Sequence, residues 1–390
     1  MGGGTEDGGT AVPEEERLAR VALSKIAEPG DELVGRWLET YGAQEVLRAL
    51  CGESALPGAS RTRWEGLRLR ARDVHPGEEL RSVTAQGGRF LCPGDGEWPC
   101  QLDDLGAARP VGLWVRGPAN LRICALRSVA VVGARACSEY GGYVAAALGS
   151  DLAGRGWTVV SGAAYGVDGA AHRGALAADG ATVGVLACGI DRVYPASHAE
   201  LIRRIGEQGL LVAELPPGDH PTKSRFILRN RVIAALTRGT VVVEAALRSG
   251  SLATARHARR LDRWVMAVPG PVTSSLSAGA HELVRTDGGS LVTDAGDVVE
   301  LVGGMGELGP HRRGPSVPHD ALPPLAARVL DALPARGSAE VAQLALRAGL
   351  SPEAVRAPLQ ELHALGFVIR QGKQWQLAPS AKPAGSHPIE

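Results

Sequence analysis

The chain has 390 residues, 44% of them hydrophobic and 22% charged, with 42 Lys and Arg balanced by 42 Asp and Glu. That length exceeds one ordinary core and fits two or three soluble domains, and the zero net charge excludes a protein that is basic over its whole surface. No apolar run reaches the roughly 18 residues of a membrane span. Neither end reads as a signal peptide, and the six cysteines (51, 92, 100, 124, 137, 188) show neither a CxxC pair nor a His at ligand spacing, so no membrane, zinc or disulfide framework is expected and the cytoplasm is the expected location.

Residues 1–12 and 379–390 are rich in Gly, Pro and polar residues and are expected to be disordered. From Glu14 the pattern is helical: EEERLARVALSKI is amphipathic, DELVGRWLETYG closes on Gly42 and AQEVLRALCG on Gly52, which predicts a small helical domain over 13–85. Its arginines Arg61, Arg63, Arg68, Arg70 and Arg72 fit a solvated face or a nucleic-acid contact. A connecting segment over 86–127 turns at Pro93, Pro99, Pro110 and Pro118 around the strand-like VGLWVRG.

At Ser128 the pattern changes. SVAVVG is a short buried strand, and the period then becomes helical from Glu139 to Arg155. The unit recurs through WTVVSG, TVGVLACG with a helix from about Ser197, LLVAEL, TVVVEA with SLATARHARR, and finally WVMAVPG. Near-continuous Val and Leu strands that alternate with helices predict a doubly wound, mostly parallel, Rossmann-like α/β sheet over 128–302. Ligands of such sheets sit beyond the strands' carboxyl ends, where this chain places Gly133-Ala134-Arg135, Ser161 to Ala164, Gly189, Glu214, Arg248 to Ser251 and Pro269-Gly270.

The first turn, GARACSEYGG, is not a dinucleotide fingerprint, because Arg135 stands where a glycine would let a pyrophosphate approach. Arg135 suits a phosphate contact or an ion pair with a neighbouring loop. SGAAYGVDGAAH exposes backbone N–H groups at a helix start, an anion cradle by its residue types. Asp168 and His172, four apart, share a helical face and fit either a catalytic pair or a cap and buried hydrogen bond. There is no P-loop, and no cofactor is expected.

Between Thr222 and Arg260 lie nine Lys or Arg and one acid, Glu244, a concentration of charge that suits polyphosphate or nucleic acid. Within FILRNR, residues four apart share a helical face and residues two apart do not, so Arg229 and Arg231 cannot both meet one ligand. Arg225 with Arg229, and Phe226 with Asn230, form adjacent stripes of guanidinium forks and a stacking ring; Phe226 equally fits the core. Arg231 then turns inward, toward an acid such as Glu244. In RSGSLATA, Ser249, Gly250 and Ser251 can present N–H and hydroxyl groups to another phosphate.

Taken in order, VAVVGARACSEYG, SGAAYGVDGAAH, FILRNRVIAAL, VVVEAALRSGSLATA and VPGPVTSSLSAGAHELV resemble the DNA-processing protein A family (DprA or Smf). The resemblance implies an extended Rossmann-like fold, homodimers, sequence-independent binding of single-stranded DNA, and transfer of the strand to the RecA recombinase in natural transformation. It implies no enzyme activity. By motif, its DNA-facing residues are Gly133, Arg135, Ser161, Gly162, Phe226, Arg229, Asn230, Arg231, Ser249 and Gly250. Three positions depart from the pattern. Tyr165 stands where Arg or Lys is common and trades a phosphate contact for a ring that can stack; Ile227 replaces a usual Pro, and His281 a usual Asn.

After a linker over 303–324, the segment 325–378 reads as three helices and a hairpin around Gln371-Gly372-Lys373, a winged helix that the same resemblance implies. Its third helix balances Arg356 and His363 against Glu353 and Glu361, which suits protein contact or weak duplex contact. Two other functions stay open. A nucleoside-monophosphate hydrolase of the lysine-decarboxylase-like group needs a PGGxGTxxE signature, which is missing; a nucleotide-sensing winged-helix regulator needs a basic recognition helix.

Overall fold

The computed structural model describes residues 12–52, 54–304 and 322–379. The expected disordered ends, and most of the 303–324 linker, lie outside these residues. The chain divides between Gly309 and Pro310 into two compact units.

The first unit opens with five helices: α1 (Glu14–Ile26), α2 (Glu32–Tyr41), α3 (Ala43–Cys51), α4 (Arg61–Ala71) and α5 (Pro76–Ala85). Leu23, Val34, Trp37, Val46, Leu50, Trp64 and Leu67 form the shared core of α1 to α4, while Val83 of α5 packs with Phe90 and Trp114. Asp31 caps α2 and Ser60 caps α4. Three of the α4 arginines are engaged at home, Arg61 with Glu65, Arg63 with Asp31, and Arg68 with the Leu50 carbonyl.

The connecting segment contributes an unexpected strand, β1 (Gly88–Leu91), and β2 (Leu113–Arg116) within the strand-like VGLWVRG, followed by α6 (Leu121–Leu126). The repeating units follow as β3 (Ser128–Val132), α7 (Glu139–Gly154), β4 (Thr158–Ser161), α8 (Val167–Ala177), β5 (Thr182–Leu186), α9 (Ala199–Gln208), β6 (Leu210–Ala213), α10 (Lys223–Leu236), β7 (Gly239–Val242), α11 (Ser251–Arg260) and β8 (Trp264–Ala267). The unit ends with α12 (Ala278–Arg285), β9 (Ser290–Leu291) and α13 (Ala295–Val302).

These strands form one nine-stranded sheet in the order β1-β2-β6-β5-β4-β3-β7-β8-β9. β6 through β9 run parallel to one another, while β1 and β2 pair antiparallel at one edge. The expected doubly wound α/β sheet is therefore present. Its strands β3, β4, β5 and β7 are buried along their full length, which is why they read as unbroken apolar runs. From β3 the chain winds outward through β4, β5 and β6, then returns to β7 on the other side, so the topological switch lies between β3 and β7.

The second unit contains α14 (Pro324–Asp331), β10 (Ala339–Glu340), α15 (Val341–Ala348), α16 (Pro352–Ala364), β11 (Val368–Gln371) and β12 (Gln374–Leu377). Its antiparallel sheet has the order β10-β12-β11. The stretch read as the start of the second helix pairs instead as a strand, Ala339 against Trp375, and the helix begins at Val341 behind a capping box from Glu340 and Gln343. Val329, Leu344, Val355, Leu359, Leu362 and Trp375 fill the core of this unit.

Candidate nucleic-acid interface

At the switch point a pocket of about 740 Å³ opens between the loops that follow β3 and β7 and the first turns of α10. Gly133, Arg135, Phe226, Arg229, Asn230, Ser249 and Gly250 all line it. Seven of the ten expected site residues therefore converge, from three separate stretches of chain.

The loops are tied to one another by backbone. Ala134 donates to the Glu244 carbonyl at 2.7 Å, Val167 donates to the Ala134 carbonyl at 3.2 Å, and Ala245 donates to the Leu276 carbonyl at 2.7 Å. Gly133 permits this convergence, because a Cβ there would lie 2.6 Å from Val167 and 2.9 Å from the Glu244 carbonyl.

α10 runs unbroken from Lys223, with Thr222 capping it through the Arg225 N–H at 3.3 Å, and Ile227 sits within it on an exposed position. A helix already formed at Phe226 separates its side chains as the spacing requires. Phe226 faces the pocket, with the Arg135 guanidinium 4.3 Å from its ring centroid and the Tyr194 ring at 5.6 Å. Among the described residues no carboxylate pairs with Arg135, so its cation–π contact replaces the ion pair that its position also allowed. Lys223 and Arg248 line the same pocket.

Arg225 is held by Asp219 at 2.9 Å and by Glu28 at 3.3 Å, so it is not an open fork beside Arg229. Arg229 lies at the pocket floor. It is buried, donates to the Val185 carbonyl and to Asn230 Oδ1, and burial lowers its pKa to about 10 against the opposing pull of Asp168. Asn230 Nδ2 donates to the Gly250 carbonyl at 3.2 Å, which joins α10 to the start of α11. There Ser249 Oγ meets Ser251 Oγ at 2.7 Å and accepts the Ser251 N–H.

Ser161, Gly162 and Arg231 do not reach the pocket. Ser161 donates its hydroxyl to the Val131 carbonyl at 2.7 Å. Gly162 donates its N–H to Asp168 Oδ2 at 3.1 Å, so the cradle expected at the start of α8 is filled by the protein's own carboxylate. Burial pushes that carboxyl above the usual range, although Arg229 and the Gly162 and Ala164 backbone donors work the other way. Arg231 turns inward as expected, but to Glu214, at 2.7 and 2.5 Å in a two-pronged pair. Glu244 instead accepts from the Ser138 N–H at 2.9 Å and its hydroxyl at 2.5 Å, at the start of α7.

His172 is fully buried with Nδ1 2.7 Å from Thr182 Oγ1, and burial, reinforced by Arg229, lowers its pKa to about 3. Asp168 and His172 therefore serve as a loop-binding carboxylate and a neutral buried ring. Four of the helices that begin at this end of the sheet differ in charge. α7 and α8 carry Glu139 and Asp168 in their first turns, while α10 and α11 carry no acid there.

Sequence reasoning passed over Tyr194, Lys223 and Leu276 in the pocket wall. Tyr194 gave a usable signal, an aromatic between turn-forming residues and outside any periodic element. Among the described residues no cluster of His, Cys, Asp or Glu is arranged to hold a metal, and no helix is long and apolar enough to cross a membrane.

Fold and site define a doubly wound, Rossmann-like α/β protein whose pocket lies at the switch point and is edged by cations and aromatic rings. The profile of the DNA recombination-mediator protein A family matches residues 89–303, and the chain belongs to that family. It is 47% identical over 310 residues to a DNA processing protein DprA of Mycobacterium tuberculosis, covering 77% of this chain and 79% of that one. To the DprA of Streptococcus pneumoniae it is 41% identical over 206 residues, covering 52% of this chain and 70% of that one. The X-ray structure of DprA from Streptococcus pneumoniae superposes with a TM-score of 0.61 at 30% identity, over 73% of this chain and 97% of that one. These relatives are named for DNA processing and not for a catalysed reaction.

Proposed function

We propose that the protein binds single-stranded DNA of any sequence in the switch-point pocket and delivers it to a RecA recombinase during transformation or recombination. The observation that carries this reading is Phe226, with the Arg135 guanidinium over its ring and the Tyr194 ring tilted against it, in a pocket whose other wall is the acid-free start of α11. Rings take the bases and cations take the backbone, a combination that tolerates every sequence. Gly133, Arg135, Phe226, Arg229, Asn230, Ser249 and Gly250 are the proposed contacts.

We further propose a cytoplasmic homodimer formed around α12, with Val284 exposed on that helix, Leu247 exposed after β7 and Leu291 exposed on β9, and a winged-helix role for the second unit in contacting protein or duplex. The element order helix, strand, two helices and hairpin supports the latter. In α16, His363 is occupied by the Val368 carbonyl at 2.9 Å and by the Trp375 ring, which leaves that helix weakly basic. Filter binding with a mixed-sequence single strand, the matching duplex and a mononucleotide tests the reading. The single strand should bind tightest; preference for duplex or mononucleotide would refute it.

A further inference from the structure

A second aromatic group lies beside the pocket. Tyr165 is 45% exposed, yet its ring is fixed on two sides. Ser197 Oγ donates to its hydroxyl at 2.8 Å, and the His198 ring packs edge-on with centroids 5.0 Å apart. His198 is itself held by the Ala163 carbonyl at 3.2 Å from Nδ1. An exposed ring whose rotamer is already chosen loses little freedom when something stacks on it.

Its position relative to Phe226 follows from chain continuity. Val193 to His198 is one short segment; Tyr194 in it packs on Phe226, while Ser197 and His198 hold Tyr165. On the other side, Gly166 follows Tyr165 directly and packs against the Ala134 and Arg135 carbonyls so closely that no side chain fits. Arg135 in turn lies over Phe226. The rings of Tyr165 and Phe226 are thus joined by two short paths around one pocket mouth. Arg135 accompanies Phe226 as a cation, and the exposed Arg173 lies on the His198 side of Tyr165, since a Cβ built on Gly169 would meet His198 Cε1 at 2.6 Å and Arg173 Nη1 at 3.3 Å.

We propose that Tyr165, with His198 packed edge-on to it and Arg173 near that histidine, forms a second base-and-phosphate position on the path of the bound strand. The proposal rests on the single-strand reading above and deepens it. The site then holds two nucleotides on two rings, and part of its affinity belongs to the base on Tyr165.

The test compares a mixed-sequence strand of about 20 nucleotides with a fully abasic strand of equal length, for the full chain and for Tyr165→Ala, Tyr165→Phe and Phe226→Ala. Stacking on one ring predicts that Tyr165→Ala weakens binding of the normal strand roughly 5- to 100-fold, leaves the abasic strand within about twofold, and is rescued by Tyr165→Phe. Because Tyr165 is exposed, an unchanged melting temperature certifies the fold. As a measurement that needs no variant, ultraviolet crosslinking of a bromouracil-substituted strand should label Tyr165. If Phe226→Ala weakens binding while Tyr165→Ala does not and Tyr165 stays unlabelled, the second position is refuted and the function stands. If the full chain binds neither strand, or Phe226→Ala is also silent, the function itself fails.

Discussion

The guanidinium of Arg229 occupies the space that a side chain on Gly162 would need, since a Cβ built there would run into both of its terminal nitrogens. The carbonyl of Val185 accepts from the guanidinium, and the charge of Asp168 favours it. Gly162→Ala should therefore displace Arg229 and destabilise the fold by about 1 to 3 kcal/mol. Urea unfolding measures this, and an unchanged midpoint would mean that Arg229 does not occupy that space in solution.

Arg231 and Glu214 form a buried pair, with side chains 5% and 11% exposed. Arg231→Ala leaves a carboxylate without its partner, at a cost of about 3 to 5 kcal/mol, whereas replacing both by apolar residues should recover most of the loss. The salt dependence of strand binding should not change in the double variant. If it flattens, Arg231 meets phosphate after all.

Salt reports the outward-facing cations. With three to five phosphates neutralised, the log-log slope for a single strand should be about −2 to −3.5, and Arg135→Ala should reduce it by about 0.7. Arg135 and Phe226 touch, so Arg135→Ala and Phe226→Ala should lose less together than the sum of their separate losses, by roughly 0.5 kcal/mol or more. Strict additivity in the double-mutant cycle would show that the stack does not act as a unit.

The buried His172 predicts a pH effect on stability. Its folded pKa of about 3 lies below the ordinary value of 6.5, so the unfolded chain takes up the proton first as pH falls. The contribution is complete above pH 6.5 and is lost between there and 3, at about 1.4 kcal/mol per unit of pH. Denaturant unfolding of the wild type and His172→Gln at pH 7 and 5.5 isolates the effect, because Asp168 is common to both. Equal losses in the two proteins would mean that His172 titrates normally.

For the proposed dimer, sedimentation at micromolar concentration should report two chains, and Val284→Glu should report one while still binding short strands. A wild-type monomer rules out the α12 interface.

Much of the fold was legible because a strand covered on both faces must be apolar throughout, as SVAVV and TVGVL are. β9 escaped notice because two residues carry no period, and β1 because an edge strand beside helical chain lacks a boundary signal. In the site, helical spacing separated Arg229 from Arg231. It could not say which acid Arg231 would meet, since Glu214 and Glu244 end different strands whose lateral order is not written locally. Nor could SGAAYG show that Asp168 folds back onto its own loop, because an empty cradle and a filled one have the same composition.

The unequal starts of α7, α8, α10 and α11 have a consequence for geometry. Along α10 and α11 a visitor meets Lys223 and no acid; toward α7 and α8 it meets Glu139, with Asp168 and Glu244 bound by the protein's own donors. A paired helix carries phosphates on both flanks and would bring one row against those acids. A lone strand has its charge along one edge and flat, neutral faces along the other, and only it can lie with each edge on the matching wall. Discrimination between one strand and two can thus come from the sidedness of the cleft, with no base edge read.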